Sequence, residues 1–98
     1  MVDCVPEGAA VPGDLVMPRI VSGTIWVWPD LDQRRRAAAR LAFARTAVDC
    51  ATQPVGLVAG AAFADNVYFV YVLFPKGAGW IYGDVSSSTR SVWKKVEP

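Results

Sequence analysis

Val55–Phe74, VGLVAGAAFADNVYFVYVLF, is the stretch on which the fold turns. Twenty consecutive mostly apolar residues are long enough to cross a bilayer as a helix. Gly56 and Gly60 even stand in the GxxxG spacing of packed membrane helices. Asp65 and Asn66 interrupt that reading, because an acidic side chain near the bilayer centre costs roughly 2.5–3.5 kcal/mol. The second half is rich in Val, Tyr and Phe, which favour strands. Asp and Asn tolerate the positive φ that a two-residue hairpin turn demands. The stretch therefore predicts two antiparallel strands, 55–64 and 67–74, and no membrane span.

Downstream, Trp80–Val85 and Arg90–Val96 carry further β-rich runs. Lys76-Gly77-Ala78-Gly79 and Ser86-Ser87-Ser88-Thr89 read as the turns that join them. The expectation is a four-stranded antiparallel meander from 55 to 96. Gly79–Val85, GWIYGDV, resembles the Gly-Trp turns of bacterial SH3-like modules over under a tenth of the chain; no function is taken from it.

Upstream, Pro54 closes what reads as a long helix over Leu31–Thr52. Asp30 stands as its cap, Gln33 completes a capping box and Asp32 lies at the positive dipole end. Ala37, Leu41, Ala44, Val48 and Ala51 form a stripe of mostly small residues at helical spacing. Before the helix, Val21–Trp28 alternates: Thr24, Trp26 and Trp28 on one side, Ile25 and Val27 on the other. Pro29 ends that strand. Residues 1–19, with Pro6, Pro12 and Pro18 spaced by Gly8 and Gly13, read as an extended arm.

The predicted fold is thus a single α+β domain over residues 1–98: arm, strand, one long α-helix, then the meander packed on the helix. The alternative is a small SH3-like barrel with a helix, its sheet curled around its own apolar residues. Ninety-eight residues bury about 64% of their unfolded surface, enough for one core. Hydrophobic residues make up 53% and charged residues 19%, which excludes intrinsic disorder and leaves a surface short of charge.

That composition frames the function. Both faces of strand 67–74 are apolar, one carrying Val67, Phe69, Tyr71 and Leu73, the other Tyr68, Val70, Val72 and Phe74. A helix 10–12 Å wide cannot cover four strands spanning about 19 Å. Uncovered apolar surface of that kind marks association sites. The preferred reading is a non-enzymatic protein-binding or assembly protein, as a homo-oligomer or bound to a larger partner. Tyr68, Tyr71, Phe74, Trp80 and Trp93 are the candidate interface anchors.

The rival reading is a small nucleic-acid-binding protein that uses Arg34, Arg35, Arg36 and Arg40 of the helix with Lys94 and Lys95 of the last strand. On a helical wheel those arginines, with Arg45, encircle the helix instead of sharing the single face expected of a recognition helix. Ten Lys plus Arg against nine Asp plus Glu also supply no cationic excess.

The chain contains no histidine, so His-based triads, His metal sites and His pH switches are ruled out. Asp30 and Asp32 are read as helix caps before they are read as a carboxylate pair. Gly77-Ala78-Gly79 opens no helix, so it lacks the geometry of a dinucleotide loop. No cofactor, no metal and no catalytic constellation is expected. Asp3 and Glu7 occupy the region where an export signal would be basic, which points to a cytoplasmic protein. In a reducing compartment Cys4 and Cys50 remain thiols.

Overall fold

The computed structural model describes residues 5–28, 46–64, 66–85 and 91–96. Seven strands run in chain order: β1 Leu15–Pro18, β2 Thr24–Val27, β3 Thr46–Asp49, β4 Gly56–Ala64, β5 Val67–Phe74, β6 Gly77–Tyr82 and β7 Trp93–Lys95. One 3-10 turn, Cys50–Thr52, follows β3. Five strands make one antiparallel sheet in the order β6-β5-β4-β1-β7, and β2 and β3 make a separate two-stranded ribbon. Among the described residues no pairing joins β6 to β7, so the five-stranded sheet is open.

The apolar stretch does fold as the expected hairpin. β4 and β5 pair from Ala64↔Val67 back to Leu57↔Leu73, and Asn66 takes φ 65° in the turn. A bulge sets Ala59 and Gly60 against Tyr71, which keeps Val58 and Ala61 on the same face as Val72 and Val70. The next turn is shorter than expected. Phe74 pairs with Gly77, so Pro75 and Lys76 alone make it, while Gly77, Ala78 and Gly79 lie inside β6.

The α+β arrangement is not found: strands take 57% of the described residues and 4% are helical. Of the helix expected over 31–52, residues 46–49 are β3 and 50–52 the 3-10 turn; residues 31–45 lie outside the described residues. Thr46 and Val48 are β-branched and pair with Val27 and Ile25, so tertiary pairing overrides the helical spacing. Asp49 caps the 3-10 turn by accepting from the Ala51 amide at 3.1 Å, and Gln53 ends it at φ 48°. The meander also has three strands, not four. β7 leaves β6 and pairs with β1 on the far side of the sheet.

β1 lies within the segment expected to be an arm. Val16 is fully buried, and Ala9 and Ala10 belong to the core. Pro18 fits because of the ladder's phase. The Arg19 amide donates to Val92 and the Val96 amide to the Leu15 carbonyl, so residues 16 and 18 turn their nitrogens away from β7. On that other side β4 begins only at Gly56, short of the position opposite Pro18, so no donor is missed there.

One side of the sheet, carrying Val16, Val58, Tyr68, Val70, Val72 and Ile81, packs against Ile25, Val27 and Val48 of the ribbon. The two layers meet most closely at β6. A Cβ added at Gly79 would stand 2.5 Å from Val27 Cγ2 and 2.9 Å from the Trp28 carbonyl oxygen. Trp28 and Trp80 form a backbone bridge there, with Trp80 N donating to Trp28 O at 2.8 Å. Gly79→Ala is expected to destabilise the protein by about 1–3 kcal/mol, because the added methyl meets both the buried Val27 side chain and the Trp28 carbonyl oxygen, and the backbone cannot step aside. Gly60→Ala, whose Cβ would find only Tyr71 Cβ at 3.8 Å, is expected to stay within about 0.5 kcal/mol. Urea midpoints at unchanged slope test the contrast.

Candidate functional site

The side of the sheet turned away from the ribbon is mostly apolar from β6 across to β1. Register assigns Ala78, Trp80 and Tyr82 of β6, and Val67, Phe69, Tyr71 and Leu73 of β5, to this outer face. β4 adds Leu57, Gly60, Ala62 and Ala64, and β1 adds Leu15 and Met17. Lys94 of β7, opposite Met17, is its only charged residue among the described residues. Leu15 pairs with Leu57 and Leu57 with Leu73, so three leucines stand in one row across three strands. Each is more than 40% exposed. Phe69 is buried on this face, with the Tyr82 ring 5.2 Å away.

A second feature is a groove of about 290 Å³ beside β3. Thr46, Ala47, Val48 and Asp49 form one wall, Phe74, Pro75, Lys76 and Gly77 the other, and Thr52 and Pro54 one end. Thr46 Oγ1 donates to the Ala78 carbonyl at 3.3 Å and ties the walls together. The lining holds one cation, Lys76, and one carboxylate, Asp49. Among the described residues no group of three Cys, Asp or Glu could hold a metal ion.

The expected interface anchors separate onto the two sides of the sheet. Tyr68 is buried on the core side, its hydroxyl donating to the Ala10 carbonyl at 2.8 Å, with the Phe63 ring 5.1 Å from its own. Trp93 is buried on the same side, and half-buried Phe74 packs on it at 5.3 Å. These three are core, because their positions in β5 and β7 alternate toward the ribbon. Tyr71 and Trp80 are half-buried on the outer face, paired directly with rings 5.2 Å apart. The anchor set does not include the exposed Leu15, Leu57 and Leu73 of the outer face; alternation within the 55–74 hairpin places the latter two together, but Leu15 requires knowing that β1 exists.

Of the basic set, Lys94 and Lys95 alone fall within the described residues. Arg34, Arg35, Arg36 and Arg40 lie outside the described residues, as do Asp30, Asp32 and Cys4. Lys94 and Lys95 are half-buried on β7, and Lys95 forms an ion pair with Asp14 at 3.5 Å. Among the described residues no helix is long and apolar enough to cross a membrane.

Cys50 is a buried free thiol whose Sγ lies 3.9 Å from the Val48 carbonyl. Burial pushes its pKa up from 9.0, helped by the negative charge of Asp49 and opposed by a backbone hydrogen bond from Ile25. Burial, with a smaller push from Asp14, also raises Tyr68 from 10.0. Folding favours the neutral form of each. Their contribution to stability is whole below the unfolded values and declines as pH rises through them toward the folded ones. Urea unfolding is therefore expected to show stability falling above about pH 9. Cys50→Ala should remove the earlier part of that fall and Tyr68→Phe the later part. Tyr68→Phe also leaves the Ala10 carbonyl without its donor, at a cost of about 0.5–1.5 kcal/mol at neutral pH.

Comparison with known proteins finds no matching family model, no matching curated protein and no matching solved structure.

Proposed function

We propose that this protein is a non-enzymatic assembly protein that joins a second copy of itself through the outer face of its five-stranded sheet. The observation that carries the reading is the row Leu15–Leu57–Leu73, three directly paired and exposed leucines in a field with no acidic residue among the described residues. Burying apolar surface is favourable by roughly 25 cal/mol per Å², and around the leucine row this face sets few polar groups against that gain. Interfaces with unrelated soluble partners are about as polar as ordinary surface, whereas homodimer interfaces are more apolar. A face whose charge among the described residues is confined to Lys94 at its β7 margin gives a foreign partner little to select by, and its apolar centre complements its own two-fold image without placing like charges together. The net charge of +1 offers little repulsion between copies.

The chemistry within reach of this face supports binding over catalysis. Its polar functions are the Tyr71 and Tyr82 hydroxyls and the Lys94 ammonium, which supply no nucleophile with an adjacent base.

Light scattering after size exclusion is expected to give a mass above that of one chain, rising over about a hundredfold range of concentration. Leu57→Glu should weaken the association at least about tenfold, since it buries an unpaired charge in each copy. Its urea midpoint should remain close to that of the parent chain, because residue 57 is exposed within one subunit. A parent chain that stays monomeric throughout, or a Leu57→Glu variant that associates as well as the parent, overturns the reading.

A further inference from the structure

The groove beside β3 has the geometry of a site for an extended peptide. Its wall uses four consecutive residues of one strand, Thr46 to Asp49. Successive side chains of a strand point to opposite faces, so a cleft that touches all four runs along the strand's edge and not over one face. β2 occupies one edge of β3, so the groove follows the other, which is open among the described residues.

The ladder's phase identifies which backbone groups that edge presents. Cys50 N donates to the Gly23 carbonyl, which places residues 23 and 50 in a hydrogen-bonded pair. In an antiparallel ladder such pairs recur every second residue, so Ile25↔Val48 and Val27↔Thr46 also exchange their bonds. Ala47 and Asp49 therefore turn their amides away from β2. The Asp49 carbonyl is taken by Thr52 Oγ1 at 2.9 Å. The Ala47 amide and carbonyl and the Asp49 amide remain directed at the groove, with no partner strand among the described residues.

We infer that β3 accepts a peptide segment as an added strand, seated between its open edge and the turn at Pro75 and Lys76. Main-chain bonds to Ala47 and Asp49 would hold it, and alternate side chains would enter the apolar wall made by Phe74, Pro75 and Pro54. Four residues of β3 match a segment of about four residues, near 13 Å long. The lining balances Lys76 against Asp49, so the site selects for extended backbone and apolar side chains at alternate positions, not for charge. This inference is independent of self-association through the outer face, which lies on the opposite side of the sheet from the ribbon.

The test is a phage library of random peptides panned on the full chain, with enriched sequences synthesised and their affinities measured on three proteins. Enriched peptides should carry apolar residues at alternate positions and bind nearly independently of salt. Ala47→Pro removes the outward amide at an edge position where proline is tolerated, and it should weaken binding at least about tenfold. Leu57→Glu should leave the affinity unchanged. Should Ala47→Pro unfold, peptides N-methylated at alternate positions make the same test from the ligand's side, and one methylation phase should abolish binding. A library that yields no binder overturns the inference. So do peptides that bind Ala47→Pro as tightly as the parent chain, or that tolerate methylation in both phases.

Discussion

The contact between Val27 and the bare backbone at Gly79 governs the rest of this structure. It brings the β2–β3 ribbon down onto one side of the five-stranded sheet closely enough for Trp28 and Trp80 to exchange backbone bonds. Gly77 works in the same way one step along β6, where an added Cβ would fall 2.8 Å from Thr46 Cγ2. With the ribbon seated, Val27, Val48, Val72 and Ile81 close into one core. A Cβ at either glycine would lift the ribbon away, and the loss of contact would spread through that core, since dispersion attraction falls steeply with separation.

The parts of the fold legible in the sequence are those whose signals are local. Alternation and a turn pair suffice for β4 and β5, and alternation again for β2, where Val27 is buried and Trp26 exposed as the pattern requires. The parts that were not legible depend on distant partners. Thr46–Asp49 follows a strongly helical composition at 31–45, and the small-residue spacing runs through it without a break. Only pairing with Thr24–Val27 makes it a strand. Asp49 illustrates the ambiguity: a carboxylate that caps the following three-residue turn looks, in one dimension, like a residue inside a helix. β1 is harder still. Four residues ending in proline carry almost no strand signal, and their place inside the sheet, next to its edge, follows from β4 and β7 flanking them.

The candidate sites divide along the same line. That strand 67–74 is apolar on both sides is visible in its residues, and it implies surface that the chain does not cover. Which side remains uncovered cannot be inferred without the ribbon. The ribbon takes the side bearing Tyr68 and Phe74, joined there by Trp93, so those aromatic residues become core. The opposite side keeps its leucines exposed. Its exposure is a matter of width: two strands span about 10 Å, five span about 24 Å, and the ribbon serves one face only.

The sheet edges complete the argument, because an unpaired edge invites addition of a strand unless it is blunted. β7 is blunted. It is three residues long, and two of them are Lys94 and Lys95, the latter held by Asp14. The free side of β6 is interrupted by the Trp28 bridge, which takes both the amide and the carbonyl of Trp80. The edge of β3 has neither device. Ala47 at its centre is small and exposed, and the one charge beside it, Asp49, turns an oxygen inward to cap the 3-10 turn. Among the described residues, edge protection is thus present at both margins of the large sheet and missing from the strand that borders the apolar groove. That asymmetry is the physical basis of the strand addition inferred at β3.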